Sequence, residues 1–513
     1  MIALSAERVP LAKAKADVIA VLVVENAETD AEAFRRQRTG LERIFESVKP
    51  GLNAEVFAGR FQETLTLFPT ETNAKLLLVG LGRSEKLTME RLRRVAATAA
   101  KTAVGMKAKT LAIASPDARM LSNTTFADDS EAIGAALAEG AVLSVYKFGK
   151  YITDAEKRNT SLRRVHIVCS DGASLAALQR GTERARVVCE ATYLARDLAN
   201  APPNEIYPAT LAQRAKATGR RFGFSVKVLD EQGIRKAKMG GVLAVAKGSE
   251  QPPRFIIMEY RPRRRRRTRI VLVGKGVTFD AGGISIKPAG GMSEMKMDMA
   301  GAAAVIAAMS VAAPWKLPHH IIGLVPAVEN LLGGAAMKPG DVITHLNGKT
   351  SEVDNTDAEG RLILADALAF AARYEPDVVI DLATLTGHVV VGLGHHATGM
   401  MGNDQEVMDA LREAGERTYE RVWHLPMFEE YEKQIKSDIA DVKNSGGRPA
   451  GAITAALFLK RFIGRYRWVH LDIAGTAILN ESLDYIPKGA SGVGVRLLAE
   501  FLRTWEHSEH FRS

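Results

Sequence analysis

The chain has 513 residues, 46% hydrophobic and 25% charged, which is ordinary for a globular protein and enough for two or three domains. Its two cysteines, Cys169 and Cys189, are too few for a disulfide framework; both sit in apolar stretches as core thiols, which fits a reducing compartment. Net charge is +10, yet seven arginines lie in the single run RPRRRRRTR at 261–269, and without them 62 basic residues face 59 acidic ones. The basic balance therefore reports one local feature.

The N-terminus lacks the basic, apolar and small-residue succession of a secretory signal. The most apolar stretch, 300–315, is Ala-rich and interrupted by Ser310 and Pro314, too weak to span a bilayer. A cytoplasmic protein with no membrane attachment is expected.

In chain order, the first half alternates strand and helix. Apolar runs predict strands at 18–25, 75–82, 110–115 and 163–170. Helical spacing of apolar residues predicts helices at 31–48, 89–105, 131–148 and 181–200. APPNEIYP, 201–208, carries three prolines in eight residues and marks a boundary. The alternation then resumes, with strands expected at 269–274, 319–327, 377–384 and 469–474 and helices at 299–313, 361–374 and 451–463. Continuous apolar strands between helices imply parallel sheets covered on both faces. The expected fold is α/β with two domains. A smaller N-terminal α/β domain with a mostly parallel sheet (1–180) is joined by a linker helix and Pro-rich boundary (181–208) to a larger C-terminal α/β domain (209–513).

Several familiar chemistries are missing. The sequence has no phosphate-binding P-loop, no GxSxG elbow and no HExxH helix. The pairs His319–His320 and His395–His396 would face opposite ways on a strand and read as packing or surface histidines.

Two segments stand out. VGKGVTFDAGGISIKPAGGMSEMKMDMAGAAA, 273–304, runs from strand to helix through a Gly-rich loop bearing Lys275, Asp280, Lys287, Glu294, Lys296 and Asp298. The loop after a strand's carboxyl end is where α/β sheets bind ligands. In NTDAEGRLILADAL, 355–368, Asp357, Glu359 and Arg361 stand at alternate positions, which in an extended segment puts them on one face. DAEGR alone would also suit the acidic first turn of a helix. Adjacent carboxylates repel unless a cation lies between them. Asp280, Asp298, Asp357 and Glu359 together suffice for two divalent ions, with oxygen ligands favouring Mn²⁺, Mg²⁺ or Zn²⁺.

These segments resemble the leucyl (cytosol) aminopeptidase family of metallopeptidases. NTDAEGRL is that family's signature, and VGKG, TFD, SIKP, MKMDM, DLATLTG (381–387), GRPAGAITAALFL and HLDIAG (470–475) match it too, over roughly 190–505. The N-terminal third is similar to the family only in its α/β pattern. The resemblance implies a catalytic C-terminal domain that releases N-terminal residues, Leu and other apolar ones, from peptides with a free N-terminus. It implies Lys275, Asp280, Asp298 and Glu359 as ligands of one metal and Asp280, Asp357 and Glu359 as ligands of the other, Mn²⁺ ahead of Zn²⁺. A ligating lysine must be neutral, which a directly bound metal can enforce. The resemblance further implies attack by a metal-bridging water, with Lys287 stabilising the oxyanion and Arg361 holding a bicarbonate as general base. It also implies a homohexamer. The Arg261–Arg269 run has no place in the family pattern. It is expected to be a hairpin or loop tip, and it motivates an alternative in which the same fold also acts as a DNA-binding regulator. Met295 is a candidate wall of the substrate pocket.

Overall fold

The computed structural model describes residues 1–51, 55–116, 120–121, 124–170, 174–263 and 268–505. They form two compact units, Met1–Glu190 with Glu481–Lys488, and Ala191–Asn480 with Gly489–Ser513. The division falls inside a long helix rather than at the Pro-rich 201–208 segment.

The first unit holds strands β1 (Ala3–Arg8), β2 (Val18–Val24), β3 (Thr64–Leu67), β4 (Lys75–Gly82), β5 (Thr110–Ala114) and β6 (Arg164–Cys169). Its helices are α1 (Ala31–Ile44), α2 (Met89–Gly105), α3 (Ser130–Leu143), α4 (Ala155–Arg158) and the start of α5 (Leu175–Asn200). The sheet order is β1-β6-β5-β2-β4-β3. Every pair is parallel except β3 with β4. β2, VIAVLVV, is buried throughout, as a strand covered on both faces must be. α2 starts where Thr88, its N-cap, accepts a hydrogen bond from Arg91 N. The 481–488 segment belongs to this unit because Tyr485 donates to Glu90 Oε2 at 2.8 Å and Asp484 pairs with Arg94 at 3.3 Å.

The second unit begins with α6 (Pro208–Phe222), β7 (Ser225–Leu229), α7 (Glu231–Lys236), α8 (Gly240–Ala246), β8 (Arg254–Tyr260), β9 (Arg269–Gly274) and β10 (Gly276–Asp280). There follow α9 (Ala300–Met309), β11 (His320–Asn330), β12 (Val342–Thr344), β13 (Thr350–Glu352), α10 (Glu359–Ala371), β14 (Val378–Ala383), α11 (Gly387–Leu393) and β15 (Thr398–Gly402). The rest is α12 (Gln405–Thr418), β16 (Val422–His424), β17 (Val442–Lys443), α13 (Gly451–Lys460), β18 (Arg467–Asp472), the short strands β19 (Ile478–Leu479) and β20 (Gly489–Ala490), and α14 (Val495–Thr504).

The main sheet runs β16-β15-β18-β14-β9-β11-β8-β7, with β10 added to β11. Its centre, β18-β14-β9-β11, is parallel. α9 packs on one face beside α14; α8, α10 and α13 bury their apolar residues with Val271, Val273, Val379 and Trp468 on the other. From β9 the chain proceeds to β11 on one side, and β14 then adds on the other. The order reverses beside β9, and the carboxyl ends there form the crevice where such sheets bind ligands.

Two expectations are corrected. Residues 357–361 are not extended: α10 begins at Glu359 with Ala358 as its N-cap. The Arg run does not join a hairpin either, since β8 and β9 both pair with β11 and flank it. Arg264–Arg267 lie outside the described residues. At the ends of the run, Arg261 pairs with Glu259 at 2.8 Å and Arg269 Nη1 donates to the carbonyls of Tyr374 and Glu375. No helix of the described residues is long and apolar enough to cross a membrane. Both cysteines are buried thiols.

Candidate metal centre and active site

Four neighbouring parallel strands deliver polar residues to one edge of the sheet. β9 is followed by Lys275, β14 by Thr384, while β11 ends at Asn330 and β18 at Asp472. β10 adds Asp280 at its end. Lys275 is buried, with Nζ 2.8 Å from Asp298 Oδ1, 2.9 Å from Glu359 Oε1 and 2.8 Å from the Thr384 carbonyl. Its side chain passes beneath the first turn of α10. A Cβ on Gly360 would lie 2.5 Å from Lys275 Cε, so the glycine of DAEGR is needed for close approach. We expect Gly360→Ala to lower stability by about 1–3 kcal/mol through overpacking and to dislodge Lys275. A thermal melt with an unchanged midpoint would contradict this packing.

Asp280 Oδ1 accepts hydrogen bonds from Gly282 N at 2.9 Å and Asn330 Nδ2 at 2.8 Å. Gly282 and Gly283 turn the chain with φ of +90° and +65°, a pair of left-handed positions that suit glycine. The turn brings back Lys287, whose Nζ lies 2.8 Å from Asp280 Oδ2 and also bonds Asp357 Oδ1. Asp298 ends the short 3₁₀ helix Met292–Met297 and is held by Thr384 Oγ1 at 2.7 Å. Asp357, Glu359 and Asp280 bring one oxygen each within 4.8 Å of one another.

The electrostatics are those of a site short of positive charge. Burial raises Glu359, and Asp280 beside it raises it further. Burial also pushes Asp298 well above the usual carboxylate range, although Lys275 opposes the shift. Burial pulls Lys275 down, but Asp298, Glu359 and Asp280 outweigh it and hold the ammonium protonated. Lys287 is held protonated in the same way, chiefly by Asp280. Four carboxylates thus share two ammonium groups. Asp298 Oδ2, buried, has no hydrogen-bond partner among the described residues. Glu359 Oε1 has only its ion pair with Lys275, with no aligned hydrogen bond. Buried orphan oxygens among mutually repelling carboxylates fit a bound cation.

Arg361, on the first turn of α10, is buried and donates from Nη1 to the Asn444 carbonyl at 2.8 Å. Its Nε has no partner among the described residues. Burial lowers its pKa to about 10, with Glu359 and Asp472 opposing. The seven residues expected to bind metal or act in catalysis therefore gather here. Six of them, Lys275, Asp280, Lys287, Asp298, Asp357 and Arg361, line a cleft of about 520 Å³, with Glu359 alongside in the carboxylate cluster. Met295 and Glu294 line the same cleft. Lys296 does not; it donates to the Asn200 carbonyl. His319 and His320 are buried, the latter 2.7 Å from Glu259. His395 lines the cleft and bonds the Gly475 carbonyl at 2.7 Å.

The sequence reading missed the residues that hold this set in place. Asn330, Thr356, Thr384, Asn444 and Asp472 each make two or more polar contacts around it. The available signal was a polar residue at the end of an apolar strand, as in VPAVEN and VHLD.

A carboxylate-and-lysine cleft at the switch point of an α/β sheet is built for a cation and a ligand, and the relatives are hydrolases. Residues 193–499 match the catalytic domain of the cytosol aminopeptidase family and residues 20–155 its N-terminal domain. The chain belongs to the cytosol aminopeptidase family and is an aminopeptidase of the leucyl, or cytosol, type. The probable cytosol aminopeptidase of Geobacter sp. (strain M21) is 46% identical over 86% of this chain and 88% of its own length. That of Roseiflexus castenholzii is 45% identical over 88% and 91%. Among solved structures, a mutant of tomato leucine aminopeptidase superposes with a TM-score of 0.84 at 33% identity, covering 98% of this chain and 96% of that one. The bottromycin maturation enzyme BotP in complex with Mn gives 0.81 at 33% identity, covering 96% and 100%. The N-terminal match is more specific than the α/β pattern that the sequence reading found there.

Proposed function

We propose that this aminopeptidase removes N-terminal residues, Leu and other apolar ones, from peptides, using two divalent cations held by Lys275, Asp280, Asp298, Asp357 and Glu359. The observation that carries the reading is the cluster of buried Asp280 and Glu359 with half-buried Asp357, and its ion-paired lysines. Mn²⁺ is our choice over Zn²⁺, supported by the Mn complex of the similar bottromycin enzyme. When bound, divalent cations polarise a carbonyl and lower the pKa of water.

The chain's own groups do the rest. Asp280 and Glu359 would each serve both cations, as the family resemblance implies. Lys275 has to give up its proton to serve as a ligand, so metal uptake should release protons. Lys287, partly exposed at the cleft, carries a fixed positive charge with which to stabilise the oxyanion that develops on the scissile carbonyl. Arg361, tied to Asn444 at one nitrogen, has Nε left to hold a bicarbonate anion as the general base. Met295 forms part of the cleft wall that receives the apolar side chain. We extend the proposal to a cytoplasmic homohexamer, on the family resemblance and the relatives' name.

The free amine gives the test. The carboxylate cluster recognises a cationic or metal-bound amine, which an acetamide cannot supply. We expect Leu-Gly-Gly to be cut and N-acetyl-Leu-Gly-Gly to be inert by mass spectrometry; comparable rates on the two would defeat the exopeptidase reading.

A further inference from the structure

Asn444 lies 83 to 90 residues from the ligand turn in sequence, yet it is bound to it at five points. β17 runs parallel to β13, pairing Ser351 with Val442 and Glu352 with Lys443. Asn444 continues that ladder, donating its N–H to the Glu352 carbonyl at 2.9 Å. This places its side chain, which is fully buried, inside the turn that leads to α10. There Oδ1 accepts from Asp354 N at 2.7 Å and Asn355 N at 3.1 Å, and Nδ2 donates to the carbonyls of Asn355 at 2.8 Å and Ala358 at 3.3 Å. The carboxamide's two donors and two acceptor positions are all used. Its own carbonyl accepts from Arg361 Nη1 at 2.8 Å. The next three residues, Ser445, Gly446 and Gly447, line the cleft.

One side chain therefore ties the cleft wall to the turn that presents Asp357 and Glu359, while its backbone fixes Arg361. We propose that Asn444 is a positioning residue for the reaction: it sets where the two carboxylates and the guanidinium stand, and joins their placement to the wall against which the peptide lies. The inference rests on the function proposed above for those groups. No other side chain of this length both accepts twice and donates twice. Aspartate would keep the shape and accept both N–H groups, but would set a carboxylate oxygen against the Asn355 and Ala358 carbonyls.

The test compares the wild type with Asn444→Ala, Asn444→Asp and a control, Asn403→Ala. Asn403 holds Trp468 N and the Tyr466 carbonyl and does not line the cleft. Mn²⁺ affinity of the metal-stripped chains by calorimetry, kcat, KM, activation by bicarbonate and melting temperature are measured on each. Both Asn444 variants should bind Mn²⁺ about 10- to 100-fold more weakly, the usual loss when a group orienting a metal ligand is removed. Their kcat should fall about 100-fold, as for a 1 Å misplacement of catalytic groups, and bicarbonate should activate them less. Asn403→Ala should melt lower with kcat and Mn²⁺ affinity unchanged. If Asn444→Ala does not fold, Asn444→Asp carries the comparison. Wild-type Mn²⁺ affinity and kcat in a folded Asn444 variant, whatever its melting temperature, overturn this inference alone. A wild-type chain that binds no Mn²⁺ overturns the functional reading and the inference with it.

Discussion

Glu359→Ala should leave a folded chain that no longer holds its full metal complement and hydrolyses Leu-anilide at least about 10³-fold more slowly, an effect on the scale of removing a member of an interdependent catalytic set. Glu359 is 1% exposed and has Lys275 on one oxygen and Asp280 raising its pKa. Truncation removes a ligand proposed to serve both cations and leaves Lys275 with one carboxylate fewer. Asp357→Ala should act in the same direction. Asp357 is half-buried rather than buried, so its loss should disturb folding less. Elemental analysis beside the rate measurement decides the matter: a Glu359→Ala protein with full metal and wild-type rate would remove Glu359 from the site.

Lys287→Ala should lose kcat without losing metal. Its ammonium is paired with Asp280 and Asp357, and its side chain is 21% exposed against 4% for Lys275. A donor aimed at the developing oxyanion acts more strongly in the transition state than in the ground state. Its removal should lower kcat by about 10²–10³, or about 2.7–4 kcal/mol, with KM little changed. The variant should still take up two Mn²⁺ per chain. Loss of metal with loss of rate would instead make Lys287 a structural support of the Asp280 loop.

Much of this was legible in the sequence because local signals agreed with tertiary context. Lys75–Gly82 and Arg269–Gly274 fall where the apolar runs put them, and Met89–Gly105 falls where the helical spacing puts it. α5 begins at Leu175, before the expected 181. The strands β12, β13 and β17, with sequences VIT, TSE and VK, carry no apolar run long enough to register, yet they bring Asn444 to the ligand turn. Amphipathic helices at Pro208–Phe222, Gln405–Thr418 and Val495–Thr504 went unread.

Asp357, Glu359 and Arg361 were grouped in the sequence for a reason that was half correct. Asp357, Glu359 and Arg361 do share one site, but by a turn into α10 and not by strand alternation. The acidic first turn of a helix and the carboxylate cluster turn out to be the same structure, since Glu359 occupies the helix start and the cluster at once. Residues such as Asn330 and Asn444 act across 26 to 90 residues, and no local pattern announces a partner at that distance.

The central claim is that catalysis requires cations held by the carboxylate cluster. The direct measurement is a titration of the chelator-stripped enzyme with Mn²⁺, following bound metal and Leu-anilide hydrolysis in the same samples. The account predicts no activity in the stripped chain, recovery in step with uptake of two Mn²⁺ per chain, and no recovery in Glu359→Ala. Full hydrolysis by the stripped enzyme, with chelator still present, would contradict it.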